Sequence, residues 1–210
     1  MRRLIPCLWV ALVCGQSAFA ADQVPHQAEQ YRRTLTRAAH VEWGLDAPIA
    51  TLAGQVHQES RWRADARSPV GAQGLAQFMP ATADWMSELY PNKLGPAQPY
   101  NPGWALRAMV AYDRWLYSQN QATNDCDRWA FALSAYNGGQ GWVNRDRKLA
   151  SRKGLDHLAW FDSVERHNAG RSAANFRENR RYPRLILLRW EPLYAAVSWG
   201  AGVCTERYVM

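Results

Sequence analysis

A row of apolar residues recurs at helical spacing in the first third of this chain and ends at a glutamate. The row consists of Ile49, Leu52, Ala53 and Val56. These residues lie three or four positions apart, which is the pattern of one buried helix face. Glu59 follows three positions later and continues that face, so its carboxyl group should point toward the core or the floor of a cleft. Partial loss of water raises the pKa of such a carboxyl, which makes Glu59 a candidate proton donor near neutral pH.

A helical glutamate can also have a purely structural place. Most glutamates on helices lie at the surface, where water solvates the carboxylate. Glu59 could then stand at a frayed helix end, or pair with Arg61 or Arg63 close by in the sequence. The spacing alone leaves this alternative open, and the residues that follow are needed to weigh it.

The chain after this glutamate carries a compound motif. In order, it reads E-S at 59–60, S-P-V-G-A at 68–72, G-L-A-Q-F-M-P at 74–80, T-A at 82–83, A-Y-N-G-G at 135–139 and E-N-R-R-Y at 178–182. The order and spacing of these pieces resemble those of the soluble lytic transglycosylase (SLT) domain, a family related to goose-type lysozymes. Each piece is weak by itself, but the combination is specific. The resemblance covers roughly residues 47–195.

The resemblance implies an all-α fold, namely a lysozyme-like helical domain with a long substrate cleft. It implies cleavage of the β-1,4 bond between N-acetylmuramic acid and N-acetylglucosamine in peptidoglycan glycan strands, with Glu59 as the catalytic residue. The substrate-binding residues carried over from the matching pieces are Ser68, Gln77, Met79, Tyr136, Asn137 and Tyr182. We expect the amide of Asn137 to contact a sugar amide or backbone beside the acid. The hydroxyl of Tyr182 should form a hydrogen bond near the catalytic carboxyl.

The matching pieces supply one clear catalytic carboxyl, which limits the mechanism. Ordinary glycosidases use two carboxylates, but one suffices if the nucleophile already belongs to the substrate. Glu59 would protonate the glycosidic oxygen, and its carboxylate would then take the proton from the C6 hydroxyl of muramic acid as that oxygen attacks C1. The product has a 1,6-anhydro-muramic end, and no metal or cofactor is required. Glu178 also opens one piece of the motif, and we interpret it as a helix-start residue.

Two other functions remain open on the residues alone. The first is a peptidoglycan hydrolase, a lysozyme-type muramidase in which an acid such as Asp113 orients water. Asp113 lies on the apolar face of a predicted helix, so a buried structural role is the favoured interpretation. The second is a non-enzymatic wall-binding module of a secretion or conjugation machine.

The first 20 residues have the three parts of a secretory signal peptide. Arg2 and Arg3 precede an apolar run from Leu4 to Cys14, and Ala18-Phe19-Ala20 forms a cleavage site. This run is short for a bilayer span, so we expect no stable membrane span after cleavage, with an uncleaved anchor as the alternative. The protein is then periplasmic or secreted. The predicted organisation is a leader and helix at 21–46, the SLT-like domain at 47–195 and a C-terminal tail at 196–210.

The charge balance suits a partner in the cell envelope. Removing Arg2 and Arg3 from the 25 basic residues leaves 23 against 18 acidic ones, a net charge of +5. A basic surface suits an anionic partner such as peptidoglycan, although a merely soluble surface explains this charge equally well. The signal peptide and the lack of any nucleic-acid-binding motif argue against nucleic acid. Whether the protein serves wall recycling or a secretion, conjugation or pilus assembly is left open.

Two cysteines remain after the signal peptide is removed. Cys126 and Cys204 lie 78 positions apart, whereas Cys7 and Cys14 leave with the signal. An isolated pair in an oxidising compartment predicts a disulfide, with two free buried thiols as the alternative. No histidines cluster near either cysteine, which argues against a zinc site.

Periodicity and capping signals predict the helices of the chain. The predicted segments are 29–43, a helix ending at Glu59, 80–89, 102–119, a helix from Asn124 or Asp125 to about Gly138, and a final helix opened by Glu178 with Pro183 in its first turn. One or two short helices are expected between 141 and 172. The proline-rich connection from 90 to 102 is expected to rim the cleft.

Overall fold

The structure is a computed structural model that describes residues 22–204. The predicted signal peptide and the last six residues of the predicted tail lie outside the described residues. The α-helices are α1 (Glu29–Trp43), α2 (Ile49–Ser60), α3 (Pro80–Leu89), α4 (Pro91–Leu94), α5 (Pro102–Gln119), α6 (Asp125–Gly138), α7 (Gln140–Arg152), α8 (Ala173–Leu185) and α9 (Glu191–Ala196). Residues 22–204 form no strand beyond isolated bridges, which confirms the predicted all-α class. None of the helices in this range is both long and apolar enough to cross a membrane.

Local signals set several helix starts, as predicted. The side chain of Asn101 accepts a hydrogen bond from Trp104 N at 3.0 Å and caps α5. Asn124 caps α6 in the same way, through Asp127 N at 2.9 Å. Capping side chains satisfy amide groups that have no partner within the helix. Pro80 begins α3, and the N–H group that proline lacks would have no hydrogen-bond partner within the helix at this position.

Helix α2 lies in the middle of the molecule. Ten of its twelve residues are buried, so the burial is wider than the single predicted stripe. It packs against α9 and the π-helical turn Ile186–Trp190. Gly54 permits this close approach, because a Cβ atom there would lie 3.1 Å from both Glu191 N and Trp190 Cβ. Neighbours on several sides therefore hold the helix that ends beside Glu59.

Helix α8 corrects two predictions. It begins at Ala173, where the side chain of Ser172 accepts from Asn175 N at 3.2 Å. Glu178 therefore lies in the middle of this helix and does not start it. Pro183 lies inside the helix, whereas the sequence predicted it in the first turn. The prolyl nitrogen cannot donate to the carbonyl four residues earlier, and the wider π-helical turn follows shortly after it.

The segment from 141 to 172 is more helical than predicted, because α7 runs for 13 residues. The connection from 90 to 102 was also placed wrongly. None of the described residues that line the main cleft comes from it. It supports the loop after α2 instead: a Cβ at Gly74 would lie 1.8 Å from Pro99 O, so only glycine permits this contact.

A disulfide joins Cys126 at the start of α6 to Cys204, with the Cα atoms 4.9 Å apart. This confirms the predicted pairing. The tail has a second attachment at Glu191, whose Oε1 accepts from Val203 N at 2.9 Å and Cys204 N at 2.8 Å. Its Oε2 accepts from the Thr51 hydroxyl at 2.6 Å, which joins the tail to α2 through α9.

The chain leaves α2 through two residues in the left-handed region. Arg61 has a φ of 52° and Trp62 a φ of 66°. Trp62 is 1% exposed, and its Nε1 donates to the hydroxyl of Tyr194. Side chains rarely adopt this backbone conformation without tertiary support. The buried indole supplies such support and holds the end of α2 in place.

Candidate active site

An open cleft of about 1030 Å³ runs along the end of α2. Its walls come from α2, the loop after α2, the start of α3, the end of α6 and one face of α8. The residues that the sequence predicted for the site are all in its lining, namely Glu59, Ser68, Gln77, Met79, Tyr136, Asn137 and Tyr182. The structure therefore brings residues from distant parts of the chain to one surface.

Glu59 lies on the cleft floor, half-buried, one residue before the end of α2. The hydroxyl of Tyr182 on α8 donates a hydrogen bond to Oε1 of Glu59. Burial raises the pKa of Glu59 to about 8, even though the bond from Tyr182 lowers it, and the negative charge of Glu178 raises it further. The carboxyl therefore holds its proton at neutral pH, as the apolar face of α2 predicted.

The end of α6 forms a second wall. The Tyr136 hydroxyl donates to Ala76 O at 2.7 Å, which ties this helix to the loop after α2. Asn137 Oδ1 accepts from Asn179 Nδ2 at 3.0 Å. Because its oxygen is engaged, the NH₂ group of Asn137 is the part of the amide available to the cleft. The site thus presents a hydrogen-bond donor beside the carboxyl.

Asn179 is held in turn by buried polar groups that the sequence analysis missed. Its Oδ1 accepts from the Ser134 hydroxyl at 2.8 Å, and its Nδ2 also donates to Ser134 O at 2.8 Å. Gly138 makes room for it, since a Cβ there would lie 2.7 Å from Asn179 Nδ2. Next to it, Arg180 pairs with fully buried Asp146 at 2.6 Å. These contacts fix the orientation of the wall that α6 and α8 form.

The predicted binding residues of the loop are largely occupied by the loop itself. Ser68 Oγ accepts from Ala72 N at 2.9 Å. Gln77 has a φ of 47°, and its Nε2 donates to Gly74 O at 2.9 Å. Met79 is 42% exposed and presents an apolar surface to the cleft. Their roles as substrate contacts stay predictions, while their contacts inside the loop shape the cleft wall.

Asp113 is fully buried on α5, and the cleft lining does not include it. Its Oδ1 accepts from Gln55 Nε2 at 3.2 Å. Burial raises the pKa of this carboxyl well above its usual range. A buried carboxyl behind the cleft wall has no access to a water molecule at a glycosidic bond. The geometry therefore favours the structural interpretation of Asp113.

Other residues of the lining were not identified from the sequence. They include His57, Gln58, Tyr112, Glu178, Trp190 and the arginines Arg61, Arg177, Arg181 and Arg189. His57 stacks on Trp190 with ring centroids 4.1 Å apart, and burial together with Arg61 lowers its pKa to about 4. Arg177, Glu178 and Arg181 lie three or four residues apart on α8 and therefore share one face of that helix. A correct prediction of where α8 starts would have placed them on the same face as Tyr182.

Between residues 22 and 204, histidine, cysteine and acidic residues form no group of three or more that could hold a metal ion. The expectation that the site needs no metal or cofactor stays a prediction.

Known proteins are similar to this chain in sequence. Membrane-bound lytic murein transglycosylase F of Maricaulis maris is 33% identical over 68% of this chain and 29% of its own length. The same-named protein of Stutzerimonas stutzeri is 32% identical over 70% of this chain and 28% of its own length. The chain thus spans less than a third of these relatives.

Solved structures confirm the lysozyme-like helical fold. An inactive mutant of lytic transglycosylase Slt from Pseudomonas aeruginosa is similar with a TM-score of 0.60 and 29% identity, over 82% of this chain and 25% of that chain. The 70-kDa soluble lytic transglycosylase of Escherichia coli has a TM-score of 0.57 at 23% identity, over 83% and 25% of the two chains, and supports the fold alone. The model of the transglycosylase SLT domain family matches residues 37–158. This protein therefore belongs to the transglycosylase SLT domain family.

Proposed function

We propose that this protein is a peptidoglycan lytic transglycosylase, with its SLT-like domain at about residues 47–195. The proposed reaction cleaves the β-1,4 bond between N-acetylmuramic acid and N-acetylglucosamine and leaves a 1,6-anhydro-muramic end. The observation that carries this proposal is a half-buried glutamic acid that lines an open cleft and is hydrogen-bonded to Tyr182, with a pKa that burial raises to about 8. Similarity to lytic murein transglycosylases supports the same activity.

In the first step, Glu59 gives its proton to the glycosidic oxygen while the bond from that oxygen to C1 of muramic acid breaks. Positive charge develops at C1, and the carboxylate left behind is negative. The hydroxyl of Tyr182 already donates to that carboxyl, so it stabilises the charge as it forms. N-acetylglucosamine leaves with the transferred proton as its new hydroxyl hydrogen.

In the second step, the C6 oxygen of the same muramic acid attacks C1, and its hydroxyl proton returns to Glu59. The new bond closes the 1,6-anhydro ring, and the enzyme recovers its acid form without consuming water. An internal nucleophile benefits from proximity, so the cleft does not have to position a water molecule. We assign the NH₂ of Asn137 to an acetamido carbonyl of the substrate and the exposed face of Met79 to a sugar ring.

A hydrolase is the second candidate, and one observation favours it. Glu178 lines the same cleft as Glu59, so a second carboxylate is available where a hydrolase would need one. Asp113, which the sequence suggested as the acid that orients water, is buried behind the cleft wall. A hydrolase would add water to C1 and leave a reducing muramic end.

Digestion of purified peptidoglycan sacculi separates these functions. Mass spectrometry of the released fragments should show anhydro-muramic ends, which are 18 Da lighter than reducing ends. Reducing ends alone would contradict the transglycosylase and support the hydrolase. The variant Glu59→Gln should release nothing while still sedimenting with sacculi and keeping its helical circular dichroism. Sustained digestion by this variant would show that Glu59 is not the acid.

We place this reaction in the periplasm or outside the cell, because the predicted signal peptide directs export and peptidoglycan lies there. The relatives named above are described as membrane-bound. Recruitment by a secretion, conjugation or pilus assembly, and a purely wall-binding role, stay alternatives. Retained binding without turnover by the unaltered protein would favour the binding module.

A further inference from the structure

Two oxygen atoms behind the cleft are buried without a hydrogen-bond partner, and they belong to side chains that already contact each other. Gln55 on α2 and Asp113 on α5 are both fully buried. Gln55 Nε2 donates to Asp113 Oδ1 at 3.2 Å. The remaining two oxygens, Gln55 Oε1 and Asp113 Oδ2, have no partner among the described residues. Buried polar atoms are rarely left unpaired, so this arrangement requires a physical explanation.

The protonation state of Asp113 supplies that explanation. A carboxylate only accepts hydrogen bonds, and so does the amide oxygen of glutamine, so an ionised Asp113 would leave both oxygens unpaired. A protonated carboxyl instead carries one O–H donor. With the proton on Oδ2, Asp113 can donate to Gln55 Oε1 while its Oδ1 accepts from Gln55 Nε2. One proton therefore closes a ring of two hydrogen bonds and pairs both atoms.

The surroundings of Asp113 favour the same protonated form. Burial raises the pKa of this carboxyl well above its usual range, the hydrogen bond from Gln55 opposes that effect, and the negative charge of Glu59 raises the pKa further. Asp113 forms no ion pair within residues 22–204, so an ionised carboxyl would be a buried charge without compensation. The other titratable groups on which its charge acts are phenols on α5, α6 and α8, namely Tyr112, Tyr136 and Tyr182.

The pair lies one helical turn before Glu59. Gln55 and Glu59 are four residues apart on α2, so their side chains leave the same face of that helix. On α5, Asp113 directly follows Tyr112, which lines the cleft. Among the described residues, the bond from Gln55 to Asp113 is the only side-chain hydrogen bond between α2 and α5. The ring therefore joins the turn that precedes the acid to the helix behind the cleft.

We propose that Asp113 is protonated and that its hydrogen-bonded ring with Gln55 positions Glu59 for the reaction. This inference rests on the proposed lytic function, in which Glu59 becomes a carboxylate during the first step. A neutral Asp113 places no second negative charge near that carboxylate. The charge that forms on Glu59 in turn makes Asp113 hold its proton more firmly. Asp113 is thus a positioning residue that neither contacts the substrate nor exchanges a proton with it.

Nuclear magnetic resonance of the side-chain carboxyl carbons tests the protonation state without any turnover. The Asp113 signal is the one that disappears in Asp113→Asn. We expect this signal to have the chemical shift of a protonated carboxyl and to stay constant from about pH 5 to pH 8, a range in which an ordinary aspartate is ionised. The chemical shift of a carboxylate at neutral pH would overturn the proposal.

Kinetics on soluble glycan strands test the positioning role. Asp113→Asn replaces the O–H donor with an N–H donor, so it preserves the ring and should retain kcat and the alkaline limb of the pH–rate profile. Gln55→Met keeps the length of the side chain but removes the ring. We expect it to lower kcat by about tenfold or more with little change in KM, because a displaced acid loses its alignment with the glycosidic oxygen.

Asp84→Asn is the matched control for the loss of an aspartate, since Asp84 is exposed on α3 and lies outside the cleft lining. It should alter neither kcat nor KM. Circular dichroism shows whether each variant is folded, and rates are compared well below the unfolding temperature. If Gln55→Met does not fold, the carboxyl signal of Asp113 and the activity of Asp113→Asn decide the proposal.

Two kinetic results would overturn it. An unchanged kcat in folded Gln55→Met would show that the ring contributes to stability alone. Loss of turnover in folded Asp113→Asn would show that Asp113 needs its negative charge, as the water-orienting acid of a hydrolase would.

Absence of product from the unaltered protein would refute the proposed function instead. The titration of the Glu59 carboxyl carbon would then still test the ring. Gln55→Met should move this titration to lower pH, because a displaced carboxyl is better hydrated, and Asp113→Asn should leave it in place. An unmoved titration in folded Gln55→Met would contradict the positioning role.

Discussion

Tyr182 donates a hydrogen bond to Oε1 of Glu59 although 123 residues separate them in the chain. The bond joins the end of α2 to the last turn of α8. It opposes the effect of burial on Glu59, because a donor to a carboxyl favours the charged form. Burial and this hydrogen bond together give Glu59 a pKa of about 8. The carboxyl therefore keeps its proton at neutral pH until a substrate oxygen accepts it.

The rate should depend on the protonated fraction of Glu59. With a pKa of about 8 in the free enzyme, kcat/KM should be insensitive to Glu59 below pH 7 and should fall tenfold per pH unit above pH 8. A pH–rate profile on soluble strands measures this alkaline limb. A limb near pH 5 would contradict the raised pKa. The folded state should be checked at each pH by circular dichroism.

Replacing Tyr182 with Phe should have two linked effects. Loss of the donor should raise the pKa of Glu59 and move the alkaline limb to higher pH. It should also lower kcat by roughly 10²-fold, because the carboxylate formed during the reaction loses a hydrogen bond. Tyr100→Phe makes the same chemical change at an exposed tyrosine outside the cleft lining and should alter neither quantity. A lower rate with an unmoved limb would contradict the assigned contact.

Glu59→Gln should stabilise the fold at neutral pH. The unfolded chain releases this proton above pH 4.5, whereas the folded chain keeps it to about pH 8. The raised pKa therefore makes the unaltered protein lose stability as the pH rises through that window, and glutamine removes the loss. For a half-buried carboxyl we expect a gain of about 2 kcal/mol at pH 7 and none at pH 4. Urea unfolding at both pH values measures it, and an equal gain at both would contradict the assignment.

The contact from Asn179 should orient the amide of Asn137. Asn179→Ala should raise KM for glycan strands about as much as Asn137→Ala does, and the double variant should be little worse than either, because both changes remove one oriented donor. Asn175→Ala is the matched control, since this exposed residue of α8 lies outside the cleft lining. Additive effects on KM would show that Asn179 does not act through Asn137. Asn179→Ala should also lower the stability of the fold, because Ser134 and Arg180 lose a hydrogen-bond partner. Thermal unfolding measures this loss of stability separately from the change in KM.

Much of the fold could be predicted because helix signals are local. The apolar spacing of α2 located Glu59, and the bounds of α1 and α3 followed from a terminal glycine and an initial proline. The start of α8 was missed because the Ser172 cap lies in a long polar segment without an apolar rhythm. Glu178 was therefore predicted to start a helix in whose middle it lies, and the arginines beside it were overlooked.

The residues of the chain by themselves determined helices α1, α2, α3, α5 and α6 and a carboxyl group on a buried face, because backbone periodicity and capping depend on near neighbours in sequence. They also identified the disulfide partners, since only two cysteines follow the predicted signal peptide. Tertiary packing decided which polar groups share the cleft. It brought Tyr182 to Glu59 and Asn179 to Asn137, and it placed Asp113 behind the wall. The distances between these residues depend on how α2, α6 and α8 cross one another, and the spacing of residues along a single helix does not specify these crossings.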